Sequence, residues 1–113
     1  MSMERVLKIL VSFGFTKTEA EVYVYLAKGG PQKGRDLSVA LKMTELELHS
    51  ILKNLQSRGF VTATVEQYAL FSAVAFEKIL GSFVKANLEQ AYAIQKTKEE
   101  LLATWRSMTE QNI

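Results

Sequence analysis

Residues 31–61 read PQKGRDLSVALKMTELELHSILKNLQSRGFV, from Pro31 to Val61. From about Gln32 to Leu41 the spacing predicts a short helix with Leu37, Ala40 and Leu41 turned inward, and Lys42-Met43 make a tight turn. Thr44 and Glu47 stand in the T-x-x-E spacing of a capping box, which sets the start of a second helix. That helix carries Leu48, Ile51, Leu52 and Leu55 at i, i+3, i+4 and i+7, an apolar stripe with helical period. Gly59 closes it, and a β-rich run begins at Phe60. Two helices, a turn and then a strand are the order of a helix-turn-helix that feeds a winged hairpin.

Reading outward, residues from about Met3 to Phe13 set Val6, Leu7, Leu10, Val11 and Phe13 against Glu4, Arg5 and Lys8, and Gly14 ends this amphipathic helix. Thr16 and Glu19 form another capping box, for a helix with Val22, Tyr23, Leu26 and Ala27 on its apolar face. Gly29-Gly30 stop it, and Pro31 opens the next segment. Beyond the helix-turn-helix, Phe60–Thr64 and Tyr68–Ser72 predict a short hairpin around Val65, Glu66 and Gln67, with no glycine to shape its turn. From about Ala75 to Met108 a heptad seam runs through Leu80, Val84, Asn87, Ala91, Ile94, Lys98, Leu101, Trp105 and Met108. The expected fold is mainly α with a small β-hairpin: a winged helix-turn-helix at 1–74, a long C-terminal helix at 75–108 of coiled-coil type, and a frayed tail at 109–113.

Composition narrows the function. The 113 residues suffice for one domain with a helical appendage, and 48% of them are apolar, enough for a core. A net charge of +2 neither demands nor forbids a nucleic-acid partner. Without cysteine there is no disulfide, thiolate metal site or thiol nucleophile. The one histidine, His49, has no partner residues for a metal cluster or a nucleophile dyad, so no enzyme, metal or cofactor is expected. Apolar runs fall short of the roughly 20 residues that cross a bilayer, and a soluble cytoplasmic protein is expected. The aromatic pairs Tyr23/Tyr25, Phe13/Phe15 and Phe60/Phe71 follow element periodicity and read as core rather than as stacking platforms for single strands.

The run from Leu10 to Leu80 resembles the N-terminal winged-helix domain of the TrmB family of archaeal transcriptional regulators. The residues that carry the likeness are Phe13-Gly14-Phe15-Thr16, Glu19-Ala20, Val22-Tyr23, Gly30-Pro31, Leu37, Leu48, Leu52, Leu55, Arg58-Gly59-Phe60-Val61 and Ala73-Val74 ahead of Glu77. The resemblance implies a DNA-binding regulator, often dimeric. Larger members carry a separate effector domain; with only the long helix following the winged helix in this sequence, no such domain is expected and no sugar-sensing role is carried over. The working surface departs from the family pattern. Recognition helices of the family tend to begin with Ser, Arg or Lys, whereas this one begins Thr44-Glu45-Leu46-Glu47. His49 stands where the family has tyrosine. The wing has Glu66-Gln67-Tyr68-Ala69-Leu70 in place of Gly-Arg-Pro-Lys-type residues.

Two readings follow. In the first, a homodimer joined along Leu80, Val84, Asn87, Ala91, Ile94, Leu101, Trp105 and Met108 binds double-stranded DNA. Glu45, Leu46, His49 and Ser50 then face base edges, and Lys17, Lys33, Arg35, Lys42 and Lys53 meet phosphates, with Arg58 among the other surviving basic residues. The alternative for the long helix is that it folds back on its own domain. In the second reading the winged helix has lost DNA binding, and Tyr68 and Leu70 of the apolar wing hold a protein partner.

Overall fold

A computed structural model describes residues 3–110, which fall into two compact units divided between Ile79 and Leu80. The first unit contains α1 (Met3–Ser12), α2 (Lys17–Gly29), β1 (Gln32–Lys33), α3 (Gly34–Leu41), α4 (Glu45–Ser57), β2 (Val61–Ala63), β3 (Leu70–Ala73) and the opening turn of α5 (Phe76–Thr109). The strands form one antiparallel sheet in the order β1-β3-β2.

Helix ends follow the capping chemistry closely. At the start of α2 the Thr16 hydroxyl accepts from the Glu19 amide (3.0 Å), and the Glu19 carboxylate accepts from the Thr16 amide (2.9 Å), a complete capping box. At α4 only half of the expected box forms: Thr44 Oγ1 accepts from the Glu47 amide at 3.1 Å, and Thr44 remains the N-cap. The α4 C-terminus is closed by Gly59, at φ +81°, with Gly59 N–H bonded to Gln56 O and Phe60 N–H to Leu55 O. These paired bonds satisfy carbonyls the helix would otherwise strand. Lys42 ends α3 in the same way at φ 56°, a left-handed conformation uncommon for a residue with a Cβ.

The core gathers one face from each helix of this unit and the start of β2: Leu10, Val22, Tyr23, Leu26, Leu37, Leu48, Leu52, Leu55, Val61 and Ile79 are all buried. Phe15 stacks on Phe60 with ring centroids 4.5 Å apart and meets Tyr23 edge-on at 5.9 Å. Tyr23 is 1% exposed, and its hydroxyl donates to the Val74 carbonyl. Burial therefore raises the Tyr23 pKa above 10.0, because the phenolate would lose its water.

Several expectations need correction. Gln32 and Lys33 form a strand rather than the first turn of a helix, because their backbones pair with Phe71 and Leu70 of β3. Val11, Ala27 and Ala40 lie outside the core, and Ser38, whose hydroxyl donates to the Arg35 carbonyl (2.8 Å), is buried on α3 instead. Tyr25 is exposed and is not a core aromatic. The wing needs no glycine: Thr64 N–H donates to Leu70 O (3.1 Å), Leu70 N–H donates to Thr64 Oγ1 (3.0 Å), and the loop 64–69 is closed at its neck.

The second unit is the remainder of α5, continuous through Gly81 to Thr109. At 1.5 Å per residue the 34-residue helix is about 50 Å long. Within the tail 109–113, Thr109 still closes the helix, and residues 111–113 lie outside the described residues. No helix among the described residues is long and apolar enough to cross a membrane.

Candidate nucleic-acid interface

α4 buries Leu48, Leu52 and Leu55 and turns the opposite face to solvent. Helical periodicity puts Leu46, Ser50 and Lys53 on that outer stripe, and all three are exposed. Glu45 and His49, one turn apart, lie on its flank. They line a cleft of about 200 Å³ together with Gly34, Arg35, Leu48, Leu52 and Phe71. The four residues expected at base edges are thus divided, two on the outer stripe and two beside the N-terminus of α3.

The basic residues occupy different elements. Lys17 opens α2, Lys33 ends β1 as the residue before α3, Arg35 sits in the first turn of α3, Lys42 holds the turn, and Lys53 lies on α4; all are exposed. Lys33 and Arg35 share a second cleft of about 520 Å³ with Gly34, Asp36, Tyr68, Ala69 and Phe71. The Lys33 ammonium lies 5.6 Å from the centroid of the Tyr68 ring, a cation–π distance. The wing thus carries no basic residue of its own but holds one from β1. Leu70, expected beside Tyr68 on an apolar wing, is half-buried in β3 opposite Lys33.

Arg58 is not free to meet phosphate. Its guanidinium lies 5.2 Å from the Phe15 ring and 4.8 Å from the Phe60 ring, and Nη1 stands 3.5 Å from Glu19 Oε1. Glu19, 5% exposed, also accepts from Asn54 Nδ2. The sequence shows Glu19 as a capping residue. Its second role, clamping α2 to the end of α4, has no local signal because Arg58 is 39 residues away.

On α5, Val84, Ile94, Leu101, Trp105 and Met108 are exposed in the single chain, as are Asn87, Ala91 and Lys98, while Leu80 is half-buried. Leu88 and Tyr92, at successive i+4 steps from Val84, widen the apolar strip and were not part of the expected seam. No group of three or more His, Asp or Glu side chains among the described residues could hold a metal ion.

Comparison with known proteins agrees with this architecture. Over 101 residues the chain is 28% identical to the HTH-type sugar sensing transcriptional regulator TrmBL1 of Pyrococcus furiosus, covering 89% of this chain and 30% of that protein. The fold is similar to TrmBL2, an archaeal chromatin protein whose structure shows a novel mode of DNA binding, at TM-score 0.70 and 23% identity, over 99% of this chain and 44% of that one. It is also similar to MepR of Staphylococcus aureus in complex with DNA, at TM-score 0.56 and 17% identity, over 95% of this chain and 86% of that one. The chain thus spans less than half the length of the two TrmB-like relatives. Residues 10–77 match the family described as sugar-specific transcriptional regulator TrmB, and with more than half of its length matched, the chain belongs to the TrmB family.

Proposed function

We propose that this chain is a winged-helix, DNA-binding transcription regulator that lays α4 in the major groove and pairs with a second copy through α5. The observation that carries the reading is the exposed outer face of α4, flanked by Lys33 and Arg35 on one side and Lys42 at its N-terminal approach. A helix presented in this way, with cations on neighbouring elements, suits a duplex: phosphates set position and affinity while the helix meets base edges. Glu45, Leu46, His49 and Ser50 are the base-facing candidates. Lys17, Lys33, Arg35, Lys42 and Lys53 are the phosphate candidates. A C2 dimer along Val84, Ile94, Leu101, Trp105 and Met108 would cover the α5 strip and carry two α4 helices to two half-sites.

The test is anisotropy of a labelled random duplex titrated at several salt concentrations, with the wild type and the double variant Lys33→Glu/Arg35→Glu. Four to five phosphate contacts give a slope of log affinity against log salt of about −4. Charge reversal at two of them abolishes binding and leaves the helical content unchanged. Equal binding by the double variant would remove the phosphate surface from this face. No binding by the wild type even at low salt would favour the protein-partner reading at Tyr68 and Leu70.

A further inference from the structure

We infer that Leu46 reads the C5-methyl group of thymine. The inference rests on the placement of α4 in the major groove.

Leu46 is the second residue of α4, lies opposite the buried Leu48, Leu52 and Leu55, and is 81% exposed. The N-terminal turns of a recognition helix are the part that reaches base edges. Over the first two turns, Glu45 to Ile51, there is no Arg, Lys, Asn or Gln. Those are the side chains that form bidentate bonds with guanine or adenine. Leu46 is instead the exposed apolar group of this stretch, and the thymine methyl is the one apolar feature that a base pair presents in the major groove.

A protein partner fits this leucine less well. Glu45 and Glu47 flank it in sequence, and Lys42 is exposed in the turn before it. An apolar side chain with carboxylates on both sides of it in sequence is a poor start for the contiguous patch on which protein interfaces are built. Glu45 is suited to the same class of base edge, since a carboxylate accepts from the cytosine N4 amine. It sits on the flank beside Arg35, so it ranks behind Leu46 as a reader.

The probes are an alternating d(A-T) duplex and the alternating d(A-U) duplex of the same length, which differ only by the thymine methyls. Burying one methyl against a leucine corresponds to about a fourfold change in affinity. Wild type is expected to bind the thymine duplex about fourfold more tightly per methyl contacted, and Leu46→Ala to bind both duplexes equally with an unchanged salt slope. Leu46 is 81% exposed, on the face opposite the buried Leu48, Leu52 and Leu55, so this variant keeps its fold. Equal wild-type binding to the two duplexes overturns the inference. Discrimination that survives in Leu46→Ala also overturns it, by assigning the methyl to another residue. Failure of wild type to bind either duplex at low salt overturns the inference together with the DNA reading it rests on and favours the protein-partner reading, a different result from DNA binding that ignores the methyl.

Discussion

Removing the Glu19 carboxylate should cost this small domain a large part of its stability. In Glu19→Ala the Thr16 amide loses its acceptor, about 1 kcal/mol for an N-terminal capping bond. Arg58 loses its counter-ion while still packed against Phe15 and Phe60. Breaking a fully buried pair costs about 3–5 kcal/mol. The Arg58 side chain is 29% exposed, so water recovers part of that and about 2 kcal/mol remains. Asn54 is exposed and rehydrates at little cost. The sum is about 3 kcal/mol, a large share of the ~5–15 kcal/mol typical of a domain. Arg58→Ala should cost at least as much, since it leaves Glu19 buried and ends two ring contacts worth about 0.5–1 kcal/mol each. The double variant should cost less than the sum, with a coupling of about 2 kcal/mol. Urea unfolding followed by far-UV and tyrosine circular dichroism measures this. A Glu19→Ala shift below about 0.5 kcal/mol, or a coupling near zero, would refute the clamp.

Two further tests use single positions in the same unit. Because burial raises the Tyr23 pKa, its contribution to stability is whole below about pH 10 and is lost as pH rises towards the higher folded value; Tyr23→Phe should flatten that alkaline loss in pH-dependent unfolding, at a cost of about 1 kcal/mol for the bond to Val74. Lys42→Gly relieves a positive φ and should stabilise the domain by up to about 1 kcal/mol while weakening duplex binding, a divergence seen by comparing a melting curve with a salt-titrated anisotropy curve.

Most of the fold was legible because its signals are local. Thr16 with Glu19 announced α2, Thr44 announced α4, and Gly14, Gly30 and Gly59 marked three helix ends where backbone bonds needed a positive φ. Features that depend on distant partners were not legible. Nothing in Gln32-Lys33 favours a strand until Leu70 and Phe71 arrive to pair with it. The left-handed Lys42 follows from the carbonyls of α3 and not from its own preference. The candidate interface was legible in its residue types but not in its grouping. Glu45 and His49 turn towards Arg35 and Phe71, and Tyr68 serves Lys33, because the strand nobody would read from two residues brings the wing to α3.

The residues that carry the family likeness and those proposed to touch DNA are separate sets, and the structure gives a reason. Gly14, Phe15, Thr16, Glu19, Arg58, Gly59 and Phe60 converge on one cluster. Gly14 adopts φ +100°, and a Cβ there would stand 3.2 Å from Arg58 Nη2. Phe15 stacks on Phe60, Arg58 covers both rings, and Glu19 holds Arg58 while capping α2. Each side chain there is constrained by several others at once, so the cluster admits few substitutions while it holds the end of α4 against α2. The outer stripe of α4 has no such constraint: Leu46, Ser50 and Lys53 face solvent and can change without disturbing the core. A chain can therefore keep the TrmB signature and hold its helix in the same pose while presenting a different set of base contacts. The signature cluster holds the end of α4 against α2, and in the proposed reading it is the acidic, leucine-tipped first turn that sets the base contacts.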